Sequence, residues 1–489
     1  MKMSAPNRSR TLLLALALVV PGAVDAQLTW QRTYGGFGSD QALAVVATAD
    51  SGYVLVGSTG SFGSGGGDVY LVRVDSAGSL VWSTTFGGPG VEQGVDLVRT
   101  DDEHLLVIGT SYVDPALGYD GLLVRADPMG AALWERTYGQ AGWDLFNAGA
   151  TVPGGWVVVG QTFSTGDGSG EAWIIRIDQA GDTLWTRTYG AAGSEKATAV
   201  VGLPDGGCAV VVNKALDDGQ DIVLLRYDPD GELLWQTNWG GVAWDEGRSV
   251  TSTVDGGFVV GGITEGIVPY RTMLLVKFDG AGAFLWNEVT FGQGTWEAHG
   301  ITELQNGDLC LAGSTDAFGA GGSDMYMWHT TATGTYIEGP TFGGLEQDEA
   351  FDVTATFDGG YVLVGRTNGA GPGPQAVLGV KHFGAPLSGG FIETLDPLPI
   401  PDPRPSTPGL LLHPNPARPG DAITVTLAGG NGQRRSVVLL DQQGRQVAGW
   451  PGQHPSEPLR VPSIAPGTYT LHTVWDDGSR SAAPLLIIP

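Results

Sequence analysis

Two cysteines in 489 residues, Cys208 and Cys310, are too few for a disulfide framework or a cysteine-based zinc site. They fall in different repeats, on predicted core strands, so free buried thiols are expected. The seven histidines are scattered and never cluster at ligand spacing. Positive charge is scarce: 25 Lys and Arg stand against 52 Asp and Glu, for a net charge of −27. That balance argues against nucleic acid or an anionic membrane as partner, and it permits cations as ligands. One apolar run near the start is too short to span a bilayer as a stable anchor, and no other stretch is long and apolar enough to be a membrane helix. Gly-x-Ser-x-Gly, His-Glu-x-x-His and a phosphate-binding loop are all missing. No catalytic, cofactor-binding or metal-binding residue is therefore assigned, and no cofactor is expected.

Hydrophobic residues and turn formers are abundant. With 42% hydrophobic residues and 15 Trp, the chain has a core to bury, so its 79 Gly read as turns of a strand-rich fold rather than as disorder. Lys2, Arg8 and Arg10 precede the apolar run Leu12 to Val20, and Val24-Asp25-Ala26 closes it with small residues. That is the pattern of an export signal over residues 1–26.

Self-similarity is the strongest signal. Trp30, Trp82, Trp134, Trp185, Trp235 and Trp286 recur at spacings of 52, 52, 51, 50 and 51 residues. An aromatic-Gly pair recurs seven times, from Tyr34-Gly35 to Phe342-Gly343. Each unit holds four strand-like runs, in the first Ala42 to Thr48, Tyr53 to Ser58, Val69 to Val74 and Leu80 to Phe86. Asp50-Ser51-Gly52 and Asp75-Ser76-Ala77-Gly78, each with later copies, are hairpin turns between them. No helical periodicity interrupts the pattern. Four short strands per unit predict an all-β fold, a seven-bladed β-propeller over residues 27–388, with an open solenoid as the alternative. Closure favours the propeller. The seventh unit lacks its fourth strand, and an orphan copy, Leu28 to Tyr34, stands near the N-terminus. Pairing the two removes both free edges. The Asp-x-x-Gly-x-x-x-Trp element resembles the tryptophan-docking motif of quinoprotein propellers, with an Asp-to-Gly spacing one residue shorter. The resemblance implies Trp packing between blades and no quinone.

Residues 389–409 hold a proline-rich spacer, Pro397 to Pro408, expected to be extended. Residues 410–489 change pattern and read as a small β-sandwich. Its landmarks are His413-Pro414-Asn415-Pro416-Ala417, then Leu440 to Val447 around Gly444-Arg445, then Ile464 to Leu471. In that order at this end, they resemble the C-terminal sorting domain of the type IX secretion system. The resemblance implies a Gram-negative host, the secretion machinery as partner, and release or attachment at the cell surface. The ending Leu485-Leu486-Ile487-Ile488-Pro489 departs from the basic residue common there. The sandwich beside flagellar hook-capping proteins is also similar, and would make the module a plain accessory domain.

Two charged slots recur. Seven residues after each opening Thr or Asn stands an acid: Asp40, Glu92, Asp144, Glu195, Asp245, Glu297 and Asp348. The third strand carries a base: Arg73, Arg125, Arg176, Arg226, Lys277 and Lys381, with His329 in the sixth unit. Seven-fold repetition favours a structural role, because catalytic groups need different environments. The acids should cap loop amides or reach the bases. The residue before the acid does vary. Trp143, Trp244 and Trp296 precede Asp144, Asp245 and Glu297 on the face with the longer loops. An indole beside a carboxylate suits a sugar ring or a cationic group, so these six residues are the candidate ligand-binding face. The expected function is a non-enzymatic exported recognition module for a glycan or protein ligand. The alternatives are a propeller enzyme acting on polysaccharide and a purely structural surface protein.

Overall fold

The computed structural model describes residues 30–382, apart from 101, 115–117, 166–167, 191–192 and 218, together with eight strands nearer the C-terminus. Residues 1–26 and most of the proline-rich spacer lie outside the described residues. Every described element is a strand.

The repeats form a β-propeller-like fold of four-stranded antiparallel sheets. In the first sheet, Asp40–Ala47, Tyr53–Thr59, Asp68–Val74 and Leu80–Phe86 pair in chain order, and five further sheets repeat that order. The seventh is built from both ends of the repeat region. Asp348–Ala355, Tyr361–Thr367 and Ala376–His382 are completed by Trp30–Gly35, which pairs antiparallel with Thr33 opposite Leu378 and Tyr34 opposite Val377. Asp396–Pro399, from the spacer, adds a parallel strand outside Trp30–Gly35. The burial gradient follows strand order. Middle strands such as Asp68–Val74 are buried throughout, whereas fourth strands such as Thr183–Tyr189 alternate exposed and half-buried. First strands of successive sheets contact one another, and Asp348–Ala355 of the seventh contacts Asp40–Ala47 of the first. The first strands are therefore the inner ones.

The repeated tryptophan joins one sheet to the next. Trp30 Nε1 donates to Ser76 O at 3.0 Å, Trp134 Nε1 to Gln179 O at 3.3 Å and Trp185 Nε1 to Pro229 O at 3.0 Å. Each indole lies on the turn glycine of the following sheet. A Cβ on Gly78 would meet the Trp30 ring at 2.8 Å, one on Gly130 the Trp82 ring at 2.8 Å, and one on Gly231 the Trp185 ring at 2.8 Å. Those glycines sit at φ +73°, +82° and +79°, so glycine is required twice over. Six tryptophans meet six turns. The sixth sheet has Tyr336-Ile337-Glu338 in place of the Trp-bearing strand, and the seventh lacks the Asp-x-x-Gly turn that would receive one.

Both cysteines are free and buried, as their positions implied. Burial pushes the Cys208 thiol up to about 12, so neither a metal nor an oxidant meets a ready thiolate there. Nearer the C-terminus, Leu410–His413, Ala422–Leu427 and Leu459–Arg460 form one sheet. Gln446–Pro451, Arg434–Leu440, Gly467–Trp475 and Arg480–Ile487 form another, in that order.

Candidate functional site

The recurring acids are buried caps. Asp40 Oδ2 accepts from Gly36 N at 2.8 Å and Ser61 Oγ at 2.6 Å, and the Thr59 hydroxyl reaches its other oxygen. Asp144 Oδ2 accepts from Gln140 N at 2.8 Å and Ser164 Oγ at 2.5 Å. Glu92 accepts from Gly88 N at 3.0 Å and Asp348 from Gly344 N at 2.7 Å. Each holds the segment that enters its own sheet, which is why the acid recurs.

The bases never meet these acids, because they stand at the other end of the strands. Arg226 pairs with Asp205 at 2.5 Å, Lys277 with Asp255 at 2.8 Å and Lys381 with Asp358 at 2.6 Å. Arg73 pairs likewise with Asp50 and Arg125 with Asp102, so the partner is the aspartate of the first hairpin turn. Hydrogen bonds from Lys277 and Thr253 hold the Asp255 carboxyl down at about 2. Where that turn has Pro153 instead, Arg176 donates to carbonyls of Gly206 and Pro153. Where it has Asn306, the base is His329, within 3.5 Å of Asp308 and 3.2 Å of Glu338.

One member of the acid series is misassigned by counting. In the fifth sheet Lys277 pairs with Trp286 and Leu274 with Val289. Phe291 then falls one residue beyond the strand position held by Phe86, and it is exposed. The strand position opposite Thr315, which Asp40 and Asp245 hold opposite Thr59 and Thr264, belongs to Trp296. Trp296 is 1% exposed and donates to Gly292 O at 3.1 Å, so it fills the acid slot and presents no surface to a ligand. Glu297 is consequently not a cap but a residue of the inner face. Trp143 and Trp244 are 53% and 43% exposed, on the non-adjacent sheets three and five. Asp144 and Asp245, beside them, are buried.

Correct register exposes an asymmetry. The second and fourth positions of the inner strands are Gln41 and Leu43, Gln93 and Val95, and Leu145 and Asn147 in the first three sheets. In the next four they are Lys196 and Thr198, Glu246 and Arg248, Glu297 and His299, and Glu349 and Phe351. Arg248 Nη1 donates to Glu297 Oε2 at 2.8 Å and Nε to Glu246 Oε1 at 3.1 Å. Arg271 Nη2 reaches Glu297 at 3.2 Å, and Arg366 pairs with Glu349 at 2.7 Å. His299 packs edge-on against Phe351 with ring centroids 5.0 Å apart. Burial, then the charges of Arg248, Arg271 and Arg366, push His299 down to about 3, so it is neutral at pH 7. Burial works to raise the Glu246 carboxyl, but Arg248, Trp244 and Arg271 outweigh it and leave the group below its ordinary range. The hydrogen bond from Trp244 sets that exposed indole at the rim. Arg271 precedes the third strand, and Arg366 lies near the end of the second, so the cluster opens on the long-loop face.

A concavity of about 490 Å³ lies on the opposite face, lined by residues of the second, third and fourth sheets. Its charged lining, Arg125 and Asp102, is the pair that recurs elsewhere, and Arg125 also donates to Gln179 O. Pro153 opens that space without adding a ligand group. Among the described residues no three of His, Cys, Asp and Glu converge as a metal centre.

No protein-family model and no curated protein matches this chain. Its backbone is similar to several solved structures at low identity. A protein of unknown function from Bacteroides caccae is 18% identical, with a TM-score of 0.35, over 53% of this chain and 81% of that one. The extracellular domain of BT4673 from B. thetaiotaomicron is 11% identical, with a TM-score of 0.40, over 92% and 56%. Puromycin hydrolase, as an S511A mutant, is 15% identical, with a TM-score of 0.40, over 69% and 52%.

Proposed function

We propose that this chain is an exported recognition module. Its repeats form a closed seven-bladed propeller, and its ligand is a hydroxyl-rich molecule of the glycan class. The carrying observation is the one-sided cluster of Lys196, Glu246, Arg248, Glu297 and Glu349 on the inner strands of four adjacent sheets, joined by Arg271 and Arg366 from neighbouring strand ends. A requirement of the fold would have repeated in all seven. Alternating guanidinium donors and carboxylate acceptors suit a ring of hydroxyls, and Trp244 at the rim suits stacking on a sugar face. An enzyme acting on polysaccharide needs one carboxyl held protonated near pH 7. Glu246 is moved the other way by its arginines, so it is not that acid.

Closure of the ring is supported by the antiparallel pairing of Trp30–Gly35 with Ala376–His382 and by the six Trp-on-glycine joints. Export rests on the signal pattern of residues 1–26 and on the sorting-domain resemblance of residues 410–489. The test is a glycan array followed by calorimetry on hits, with Arg248→Ala and Trp244→Ala beside the wild type. Loss of binding in both variants, with no new reducing ends from wild type, supports the assignment. Binding that survives both places the ligand elsewhere, and new reducing ends make the protein an enzyme.

A further inference from the structure

In five of the seven sheets the third strand carries an acid near its start, which faces the first-strand acid of the following sheet. The pairs are Asp68 with Glu92, Asp120 with Asp144, Glu171 with Glu195, Asp221 with Asp245 and Asp324 with Asp348. A glycine stands in each cradle. A Cβ on Gly87 would lie 2.5 Å from Glu92 Oε2 and 2.7 Å from Asp68 Oδ1, and Gly139, Gly240 and Gly343 are likewise crowded by oxygens of both acids.

The junction between the sixth and seventh sheets is the sharpest. Asp324 is 1% exposed, and its Oδ2 accepts from Ala320 N at 3.0 Å. Its Oδ1 points into the same cradle as Asp348 Oδ2 and has no hydrogen-bond partner. At the second junction Asp120 Oδ1 is in the same position, facing Asp144. Burial raises the Asp324 carboxyl to about 6, and the charge of Asp348 adds to the rise. Two carboxylates that face each other across such a cradle, one with an unbonded oxygen, repel each other unless a cation or a shared proton sits between them.

The two junctions without a pair act as internal controls. Thr272 stands where the fifth third-strand acid would be, and there the facing acid is gone too, replaced by the Trp296 indole. Ala376 stands opposite Asp40, whose oxygens are met by Gly36, Ser61 and Thr59. In the leading pairs the first-strand acid is held by the same kind of loop amide, Gly344 N on Asp348 Oδ2 and Gln140 N on Asp144 Oδ2, and what differs from Asp40 is a third-strand acid that turns an unbonded oxygen, Asp324 Oδ1 or Asp120 Oδ1, toward it.

We propose that these inter-sheet carboxylate pairs are divalent-cation sites of the calcium class, with Asp324–Asp348 and Asp120–Asp144 the leading two. Calcium takes six to eight oxygen ligands. Two carboxylates would supply the charge, and water would supply the remaining ligands. The ions would tie neighbouring sheets together, independently of any ligand on the inner face.

The test is calorimetric titration of the EDTA-stripped full chain with calcium chloride. Terbium luminescence, sensitised by Tyr138, Tyr189 and Trp239 just before the cradle glycines, and thermal melts accompany it. More than one calcium per chain is expected, with a melting-point rise on the order of 5 °C. Asp324→Asn should remove one equivalent. Asp40→Asn should lower stability without changing the stoichiometry. If Asp324→Asn does not fold, Asp120→Asn gives the same count at the other junction. Absence of heat, luminescence and melting shift overturns the proposal, as does a stoichiometry that neither paired-acid variant changes. A shared proton is the rival. It predicts that Asp324→Asn stabilises the protein at pH 8 and that calcium does nothing.

Discussion

Replacing Trp30 with Ala tests whether the two ends of the repeat region are joined through that strand. The side chain is 6% exposed, stacks on Gly78 of the first sheet and lies 6.2 Å, centroid to centroid, from Tyr53. Its Nε1 bonds Ser76 O, and Tyr34 on the same strand donates to Gly78 O at 2.7 Å. Truncating a buried Trp to Ala costs about 3–5 kcal/mol, from lost apolar contact and the cavity left behind. Spread over a repeat region of this size, that is a fall in Tm on the order of 4–7 °C. Trp185→Ala makes the internal comparison. Its indole bonds Pro229 O at the same 3.0 Å but is only half-buried, so about half the loss is expected. Leu184→Ala, at a side chain 55% exposed, should change little. Scanning calorimetry and urea unfolding measure all three. If Trp30→Ala falls within about 1 kcal/mol of Leu184→Ala, the strand does not hold the ring shut and the closure argument fails.

The turn glycines should separate strain from collision. Gly231→Ala meets both a positive φ and the Trp185 ring, whereas Gly206→Ala at φ +88° meets only Pro229 at 3.4 Å. Losses of about 2–4 and about 1 kcal/mol are expected by chemical denaturation, and equal losses would refute Trp docking. Burial, with the charge of Asp96 adding to it, raises the Asp352 carboxyl to about 7. A folded-state pKa above the unfolded one gives stability that is complete below about pH 4 and is lost as pH climbs through 7. Asp352→Asn should therefore stabilise at pH 8, on the order of 2 kcal/mol, and do nothing at pH 4. Parallel Tm-against-pH curves for variant and wild type would sink that assignment. Deleting residues 410–489 should leave the protein folded but in the periplasm of a type IX-competent host. Appearance of the truncated chain in the medium would favour the accessory-domain interpretation.

The repeated features were legible in the sequence because repetition makes each unit a check on the others. The four strands of the first unit lie within two residues of their expected ends, and the orphan strand pairs with Val377 and Leu378 as closure required. The bases had a less predictable destination. Strand direction puts Arg73 and its equivalents beside the hairpin aspartates, and a spacing pattern does not say which end of a strand a long side chain will follow. The paired acids were missed for a similar reason. Asp68 and Glu92 are 24 positions apart, on different sheets, and only inter-sheet register brings them to one glycine.

Glu297 shows how register decides between structure and function. Counting from Thr290 places it among seven equivalent acids, where it would be one more loop cap. Counting from Trp286, whose pairing with Lys277 is fixed, moves it one position along the strand and so to the opposite side of the sheet. There it joins Glu246 and Glu349 in a row that the first three sheets lack, and Arg248 and Arg271 converge on it. The extra residue between Trp286 and Phe291 thus does two things at once. It gives Trp296 the buried slot, which releases the junction from needing an acid, and it leaves the neighbouring carboxylate on the inner face. Repetition joins each sheet to the next, and the departures from repetition fall together on four adjacent sheets. A ligand that needs a particular arrangement of charges would bind where the seven-fold pattern is broken, and in this protein that is the inner face of sheets four to seven.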